Sequence, residues 1–190
     1  LPLQLDGETM PGGTTRVLEL REAEQSFTFV NVPCPPVPSL LRDFSAPVRL
    51  DYPWTQDDLI FLMACDSDAF CRWEAANTCA SRLLKELYLA AARNEKIVLP
   101  AGFIASLRCL LTEPELDPAL VALMLELPGE RTLLEEIDSV DPGLLQQVCQ
   151  SVKQQLAREL RAELLIRYAQ LNDGEPYRYD SIEVAQRSLK

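Results

Sequence analysis

The sequence contains no histidine in its 190 residues. Histidine is the side chain that most often serves as a general base or metal ligand near neutral pH, so catalytic triads with histidine and histidine-ligated metal sites are excluded. Basic residues are scarce too, because 18 Lys and Arg stand against 29 Asp and Glu and give a net charge of -11. That charge repels phosphate backbones and anionic lipid, so we expect no nucleic acid partner.

Long apolar runs are absent as well. The longest stretch, residues 120–125, ends at Glu126 and is far shorter than the roughly 20 residues of a membrane-spanning helix, so we expect no membrane partner. No basic and apolar leader opens the sequence, and Leu1 in place of an initiator Met indicates a cut inside a longer protein. The six cysteines form no Cys-x-x-Cys pair, which favours reduced thiols and a cytoplasmic location.

Residues 1–52 carry the signals of strands and turns. Turn residues at 6–7 and 11–13 separate short runs with a two-residue apolar period. The alternation is clearest in the last run, whose apolar side chains are Val48, Leu50 and Tyr52. About four short strands result, fewer than the roughly seven of an immunoglobulin-type sandwich. The sequence therefore predicts a partial immunoglobulin-like β-sandwich domain over residues 1–52.

From Thr55 onward the apolar spacing is helical, and Asp-Pro pairs at 117–118 and 141–142 mark helix starts. Predicted helices cover residues 55–64, 68–93, 100–112, 118–127, 130–139, 142–172 and 181–190. Trp73 lies in the apolar stripe of the second helix, which predicts that it is buried. The expected fold class is mainly α with a small β part, in which residues 53–190 form an irregular α-helical solenoid or bundle.

Candidate reactive groups do not form a recognisable site. The segment 113–141 holds nine acidic residues against Arg131, which suits a cation site or a docking face but is more typical of a solvated surface. Glu135, Glu136 and Asp138 could pair for acid/base chemistry, and a cysteine could act as a nucleophile, but neither has a supporting group in the sequence. We therefore predict no catalytic, cofactor-binding or metal-binding residue in this chain.

Two short segments resemble a known family. The first motif segment is residues 43–48, Asp-Phe-Ser-Ala-Pro-Val, and the second motif segment is residues 70–75, Phe-Cys-Arg-Trp-Glu-Ala. Both are similar to sequences of the bacterial alanyl aminopeptidases, the gluzincin-type zinc enzymes of the aminopeptidase N family. Further similar pieces follow in the family's order, at residues 23–29, 36–40, 116–120, 138–142 and 159–168.

The resemblance implies that the chain joins the end of a third, β-sandwich domain to the start of a fourth, helical domain. In that family zinc is held by a His-Glu-x-x-His helix and a later glutamate, and a Gly-x-Met-Glu-Asn motif binds the amino terminus of the peptide. This chain has neither motif, so no catalytic or zinc residue is carried over. The implied function is a non-catalytic part of a zinc metalloprotease, a hydrolase of peptide catabolism, in which it forms part of the wall around the active-site chamber.

The implied partners are the catalytic domain of the same parent chain and, through that parent, peptide substrates and zinc. A strand edge without its neighbours would also favour a truncation-induced homodimer through residues 1–52. The alternative interpretation is a free-standing α-helical protein-interaction module, and an independent enzyme using carboxylates or thiols is a third. The sequence upstream of Leu1 distinguishes these, because only the first interpretation requires a His-Glu-x-x-His motif there.

Overall fold

The computed structural model describes residues 1–129, 132–134, 137, 140–172 and 178–190. The chain divides into two compact units, Leu1–Pro38 and Ser39–Lys190, here called the N-terminal unit and the helical unit. The six cysteines are all free thiols, and Cys71, Cys79 and Cys149 are buried.

The N-terminal unit contains a single antiparallel bridge between Leu5 and Phe29. Two backbone bonds flank the bridge, from Asp6 N–H to the Thr28 carbonyl and from Val30 N–H to the Gln4 carbonyl, both 2.9 Å long. No residue of this unit is buried. Across residues 1–52 the structure therefore has no sheet, and the predicted partial sandwich of about four strands is not observed.

The missing sheet has a physical reason. A β-sandwich is stable only when a second layer covers the inner face of the first, and the short runs of residues 1–52 supply two or three apolar side chains each. Leu20 is 74% exposed and Val48 is 60% exposed, so no second layer covers either run. Prolines at 33, 35, 36 and 38 also remove backbone donors from the segment that would join two strands.

The helical unit begins with a 3-10 turn, Arg42–Phe44. The α-helices whose bounds lie within the described residues are α1 Gln56–Cys65, α2 Ala69–Ala92, α3 Ala101–Thr112, α4 Pro118–Leu125, α5 Pro142–Glu159, α6 Arg161–Leu171 and α7 Ser181–Leu189. The mainly helical prediction is confirmed. The helix predicted over residues 142–172 is instead two helices, because Leu160 leaves the helical conformation at φ −106° and ψ 12°. The helix predicted over residues 130–139 lies mostly outside the described residues.

Side-chain caps explain where several helices begin. Thr55 and Asp58 form a reciprocal capping box at the start of α1, as the Thr-x-x-Asp spacing allows. Asp117 and Asp141 each precede a proline and accept backbone N–H bonds at the starts of α4 and α5. A proline at the first helical position has no N–H to leave unsatisfied, so these Asp-Pro pairs define helix starts as predicted.

The core lies where α1, α2 and α3 pack together, and α2 also packs against α4 and α5. Its largest fully buried side chains are Leu59, Met63, Leu84, Phe103 and Leu110. The predicted stripe of α2 is buried from Ala76 to Leu87, but Trp73 is only half-buried, so its predicted burial is wrong. Trp73 lies near the N-terminal end of the stripe, in the first part of α2. Within the described residues no helix is long and apolar enough to cross a membrane.

Candidate functional site

The two motif segments lie far apart in the sequence but contact each other in the helical unit. The ring of Phe44 meets that of Phe70 edge-on, with centroids 5.1 Å apart, and Phe70 lies 6.0 Å from the ring of Trp73. The Asp43 N–H donates to Oδ2 of Asp68, immediately before α2, over 2.9 Å. The motif segments therefore form one contact site between the 3-10 turn and the first turn of α2.

The 3-10 turn carries unusual backbone conformations. Leu41, Asp43 and Phe44 have φ values of 56°, 54° and 52°, in the left-handed region that L residues with side chains rarely occupy. Each such residue costs of order 1–3 kcal/mol and persists only where surrounding contacts hold it. The contacts of Asp43 and Phe44 with α2 are of that kind, so the turn depends on α2 for its shape.

Arg42 holds the same turn against the connection between α1 and α2. Its Nη1 donates to Oδ1 of Asp66 over 2.6 Å and to Oγ of Ser39 over 3.0 Å, and its Nη2 donates to Oγ of Ser67 over 2.8 Å. Asp66 is buried, and its second oxygen, Oδ2, has no hydrogen-bond partner among the described residues. A buried carboxylate needs its cation, so removing Arg42 would leave an uncompensated charge.

Asp68 links the turn and α2 through one carboxylate. Its Oδ1 accepts from the Cys71 N–H over 2.8 Å as the N-cap of α2, while its Oδ2 accepts from Asp43. Burial works to raise the pKa of Asp68, but the hydrogen bonds from Cys71 and Asp43 outweigh it and hold the pKa below the usual value of 3.8. Asp68 therefore stays ionised at neutral pH, and its role is structural.

Arg72 of the second motif segment is buried and caps the preceding helix. Its Nε donates to the Met63 carbonyl over 3.1 Å and its Nη2 donates to the Ala64 carbonyl over 2.9 Å, in the last turn of α1. Those carbonyls lack partners within the helix, and a cation there also complements the negative helix end. Arg72 thus fixes α1 on α2, and its side chain is not presented to solvent as a recognition group.

A cavity of about 690 Å³ lies beside the contact between the motif segments. The exposed residues 48–52 line one side, and the other side is a face of α2 that begins with Phe70 and Trp73. Cys71 also lines the cavity, where its thiol donates to the Leu40 carbonyl. Burial raises the pKa of Cys71 to about 12, so the thiol is protonated at neutral pH and is a poor nucleophile.

A second cavity, of about 710 Å³, lies among α3, α5 and α6. Half of its lining residues are leucines, among which Leu107 and Leu160 are buried and Leu164 is exposed. Glu126 and Lys153 are its charged members. This lining offers packing surface but no convergent set of reactive groups.

The acidic segment contains no assembled site in the described part of the chain. Glu113, Glu115, Asp117, Glu126 and Asp141 are all exposed, as a solvated face requires. Glu135, Glu136 and Asp138, considered above as a carboxylate pair, lie outside the described residues. No three Cys, Asp or Glu side chains among those described lie close enough to hold a metal ion. With no histidine present, the described residues do not fit a zinc site.

Sequence reasoning missed the polar side of the cavity that lies beside the motif segments. Glu74, Asn77, Thr78 and Ser81 of α2 all line it, at spacings of three and four residues that place them on one helix face. The same spacing was available in the sequence, but the apolar stripe of the same helix gave the stronger signal. Arg42 and Asp66 were missed for a different reason, because no local pattern pairs residues in two separate loops.

Comparison with known proteins identifies the family. A family model described as "Domain of unknown function (DUF3458_C) ARM repeats" matches residues 56–190. The chain belongs to this family. A second model, described as "Domain of unknown function (DUF3458) Ig-like fold", matches residues 2–53. The helices of the structure agree with the first description, whereas the described residues 2–53 form no sheet.

The relatives are bacterial aminopeptidases. Aminopeptidase N of Escherichia coli is 35% identical over 190 residues, which is 100% of this chain and 21% of that protein. Aminopeptidase N of Haemophilus influenzae is 30% identical over 99% of this chain and 21% of its own length. The crystal structure of Legionella pneumophila aminopeptidase A in complex with aspartic acid matches with a TM-score of 0.68 and 28% identity, covering 86% of this chain and 21% of that one.

The resemblance predicted from the motif segments is confirmed. The chain is homologous to the C-terminal region of bacterial aminopeptidase N. It spans about a fifth of the length of the relatives it matches.

Proposed function

We propose that this chain is a non-catalytic part of a zinc-dependent aminopeptidase that removes N-terminal residues from peptides. The observation that carries the proposal is the 35% identity to Escherichia coli aminopeptidase N across all 190 residues. Zinc chemistry belongs to another part of the longer protein, because the described residues do not fit a zinc site. The contribution of this chain is a rigid helical layer that forms part of the wall around the active-site chamber.

The geometry of the motif segments supports a structural role. Their charged side chains are used inside the protein: Arg42 pairs with Asp66, Asp68 caps α2, and Arg72 caps α1. None of these groups is free to bind or activate a substrate. Their effect is to hold the 3-10 turn and the first two helices in one arrangement, which is what a wall around a chamber needs.

The proposal includes a domain boundary and partners. A sandwich domain ends near residue 52 and the helical domain continues over residues 53–190, which is supported by the two family models covering residues 2–53 and 56–190. The catalytic domain of the same longer chain is the principal partner, and peptides are the substrates of that longer protein. The location is the cytoplasm, in keeping with six free thiols.

The first test is to sequence the gene upstream and downstream of the segment that encodes these 190 residues. We expect a His-Glu-x-x-His motif before Leu1, and a start codon adjacent to Leu1 would overturn the assignment. The second measurement compares proteins. The 190-residue protein alone should release no alanine from alanine p-nitroanilide and should retain no stoichiometric zinc after dialysis. The product of the longer gene should hydrolyse alanine p-nitroanilide and should retain zinc.

A second candidate function is a free-standing helical module that binds another protein. The observation that favours it is the apolar surface of the last two helices, where Leu165 of α6 is 51% exposed and Ile182 of α7 is 70% exposed. Exposed apolar groups of this kind are common at protein interaction sites. The gene sequence distinguishes this candidate too, because it requires a start codon near Leu1 and no peptidase motif upstream.

A further inference from the structure

The break between α5 and α6 lies in a segment whose residues all favour a helix. Residues 157–165 read Ala-Arg-Glu-Leu-Arg-Ala-Glu-Leu-Leu, and these four residue types are among the strongest helix formers. Neither proline nor glycine occurs in residues 144–172. Nevertheless α5 ends at Glu159 and α6 begins at Arg161, with Leu160 between them at φ −106° and ψ 12°. The cause of the break therefore lies outside this segment.

Backbone hydrogen bonds are regular on both sides of the break. The Leu160 N–H donates to the Leu156 carbonyl, and the Leu164 N–H donates to the Leu160 carbonyl, both over 2.9 Å. The two helices thus follow each other with a single residue between them and no loop. Without proline, glycine or a bulge, a kink of this kind is expected where a side chain inserts among the backbone hydrogen bonds of a helix.

Arg108 of α3 contacts both sides of the break. Its Nη2 donates to the Glu159 carbonyl over 3.0 Å, and its Nε donates to Oε1 of Glu163 over 2.6 Å. Glu159 is in the last turn of α5, where carbonyls have no partner within the helix, and Glu163 is in the first turn of α6. A guanidinium can bridge two such acceptors because it presents several N–H groups in one plane.

The two acceptors of Arg108 belong to one helical hydrogen bond. In an uninterrupted helix the N–H of Glu163 would donate to the carbonyl of Glu159, four residues earlier. Here Arg108 donates to that carbonyl instead. A hydrogen bond from the Glu163 backbone N–H to its own carboxylate, and then the bond from Arg108, hold the pKa of Glu163 below its usual value of 4.5. Both groups of the helical bond therefore have other partners.

Leu160 joins the break to the core. It is 2% exposed and lines the second cavity together with Leu107, the residue next to Arg108 in α3. Cys149 of α5 lines the same cavity and is buried. Since α3 also packs against α6, the position of α6 helps to close this cavity.

From these contacts we propose that Arg108 is a two-point clamp that bends the chain at Leu160 and sets the direction in which α6 leaves the core. When the clamp is removed, residues 142–171 form one continuous helix, α6 separates from α3 and the second cavity opens. Arg108 is thus a positioning residue. The exposed apolar side chains of α6, including Leu165 and Ile166, move with the helix. The proposal goes beyond the proposed function, because it concerns the shape of this chain and requires neither zinc nor peptide cleavage.

Nuclear magnetic resonance of the 190-residue protein tests the clamp in the variant Arg108→Gln, whose shorter amide side chain cannot reach both acceptors. We expect the 13Cα chemical shift of Leu160 to move to the helical range. The amide hydrogen of Glu163 should exchange at least about threefold more slowly than in the parent, because it joins the hydrogen bonds of the continuous helix. A variant that only loosened the packing would exchange faster at this amide, so the direction of the change is specific to the proposal.

The reactivity of two buried thiols gives a second measurement. The rate of Cys149 alkylation, followed by mass spectrometry, should rise at least about tenfold in Arg108→Gln because the cavity that it lines opens. Cys79 is the internal control. It is buried beside α1, where the Gln56 amide donates to its carbonyl over 3.2 Å, and it should react as slowly as in the parent. A general loss of stability would accelerate both thiols.

Three further variants make the test specific. Arg108→Lys retains the charge, but a single ammonium cannot bridge both acceptors, so it should behave like Arg108→Gln. Glu163→Ala removes one of the two acceptors and should change the Leu160 shift and the Cys149 rate in the same directions. Arg93→Gln is the matched control, because Arg93 also donates through Nε to a glutamate, Glu95, but outside the break. It should leave both measurements unchanged. Circular dichroism and the thermal midpoint establish that each variant is folded.

Three outcomes would overturn the proposal: an unchanged Leu160 shift in both folded clamp variants, Arg108→Gln and Glu163→Ala, equal acceleration of Cys149 and Cys79, or an Arg108→Lys protein that behaves like the parent. Each of them leaves the proposed structural role in an aminopeptidase untouched, because that role is tested by the gene sequence and by hydrolysis.

Discussion

The N-terminal unit and the helical unit have comparable apolar patterns in sequence but differ in what those patterns achieve. In Leu1–Pro38 no side chain is buried, and its distant parts are joined by one bridge, by backbone bonds beside it and between Leu3 and residues 12–13, and by a side-chain bond from Asn31 to Gln4. In Ser39–Lys190 side chains from α1, α2 and α3 are removed from water almost completely. The difference lies in the backbone. A helix satisfies its own N–H and C=O groups, so a helical stripe needs only a neighbour to pack on.

The backbone N–H and C=O groups of a strand are bonded only when the strand pairs with another, and its apolar face is buried only when a second layer covers it. Residues 1–52 supply candidate strands but too little apolar area to form two layers that cover each other. An apolar pattern therefore stabilises a helix through bonds between residues near in sequence, whereas a strand needs partners that are distant in sequence.

Hydrogen exchange should show the largest effect. Backbone amides in the middle of α2, around Leu84, should exchange at least about a thousandfold more slowly than those of the N-terminal unit, because α2 opens only when the core unfolds. Mass spectrometry of peptides from both regions measures this directly. Equal protection of residues 1–38 would show that the N-terminal unit closes into a stable structure of its own.

Truncating the largest fully buried side chain, Phe103, should have the second-largest effect. Phe103 is 2% exposed, so Phe103→Ala should lower the free energy of unfolding by about 3–5 kcal/mol. The matched control is Phe61→Ala, because Phe61 is 52% exposed and its loss should cost less than about 1 kcal/mol. Urea denaturation followed by circular dichroism gives both values. Similar costs for the two variants would contradict the placement of the core.

The loss of the Asp68 carboxylate should have an intermediate effect. Asp68→Ala removes the N-cap of α2 and the acceptor for the Asp43 N–H, which should cost about 1–3 kcal/mol. Asp57→Ala is the control in the first turn of α1, where an exposed carboxylate contributes a few tenths of a kcal/mol through the helix dipole.

The difference in unfolding free energy between the parent protein and Asp68→Ala should depend on pH, and the pKa of Asp68 gives the sign of that dependence. The pKa of Asp68 is lower in the folded state than its usual value of 3.8, so its stabilisation is fully present above pH 3.8 and is lost as the pH falls through the folded pKa. The difference in unfolding free energy between the parent and Asp68→Ala should therefore shrink below pH 3.8. A difference that grows on acidification would contradict the hydrogen bonding assigned to this carboxylate.

The smallest effect on stability should come from the N-terminal unit. Leu20 is 74% exposed, so Leu20→Ser should change the unfolding free energy by less than about 0.5 kcal/mol. If the exposed apolar groups of residues 1–52 drive the predicted homodimer, the same variant should shift the equilibrium towards monomer in sedimentation at several concentrations. A strictly monomeric parent protein at high micromolar concentration would count against that dimer.

Much of the helical unit was predictable because its signals are local. The Thr55 capping box, the Asp117 and Asp141 caps and the apolar spacing of α2 each involve residues within a few positions of one another, so they act the same way wherever the helix packs. The same locality explains why α5 and α6 were predicted as one helix. The apolar spacing continues through residues 144–172, which contain no proline or glycine to indicate the break at Leu160.

Composition and short-range bonding are enough to predict the helices of the described residues from Gln56 onward, the starts of the capped helices and the exclusion of histidine chemistry. The packed structure is needed to explain why Arg42 pairs with Asp66, why Asp68 bonds to both the turn and α2, and why Trp73 borders a cavity. Those contacts join residues from separate loops and helices. Their formation depends on how the elements pack, and no periodicity along the chain encodes it.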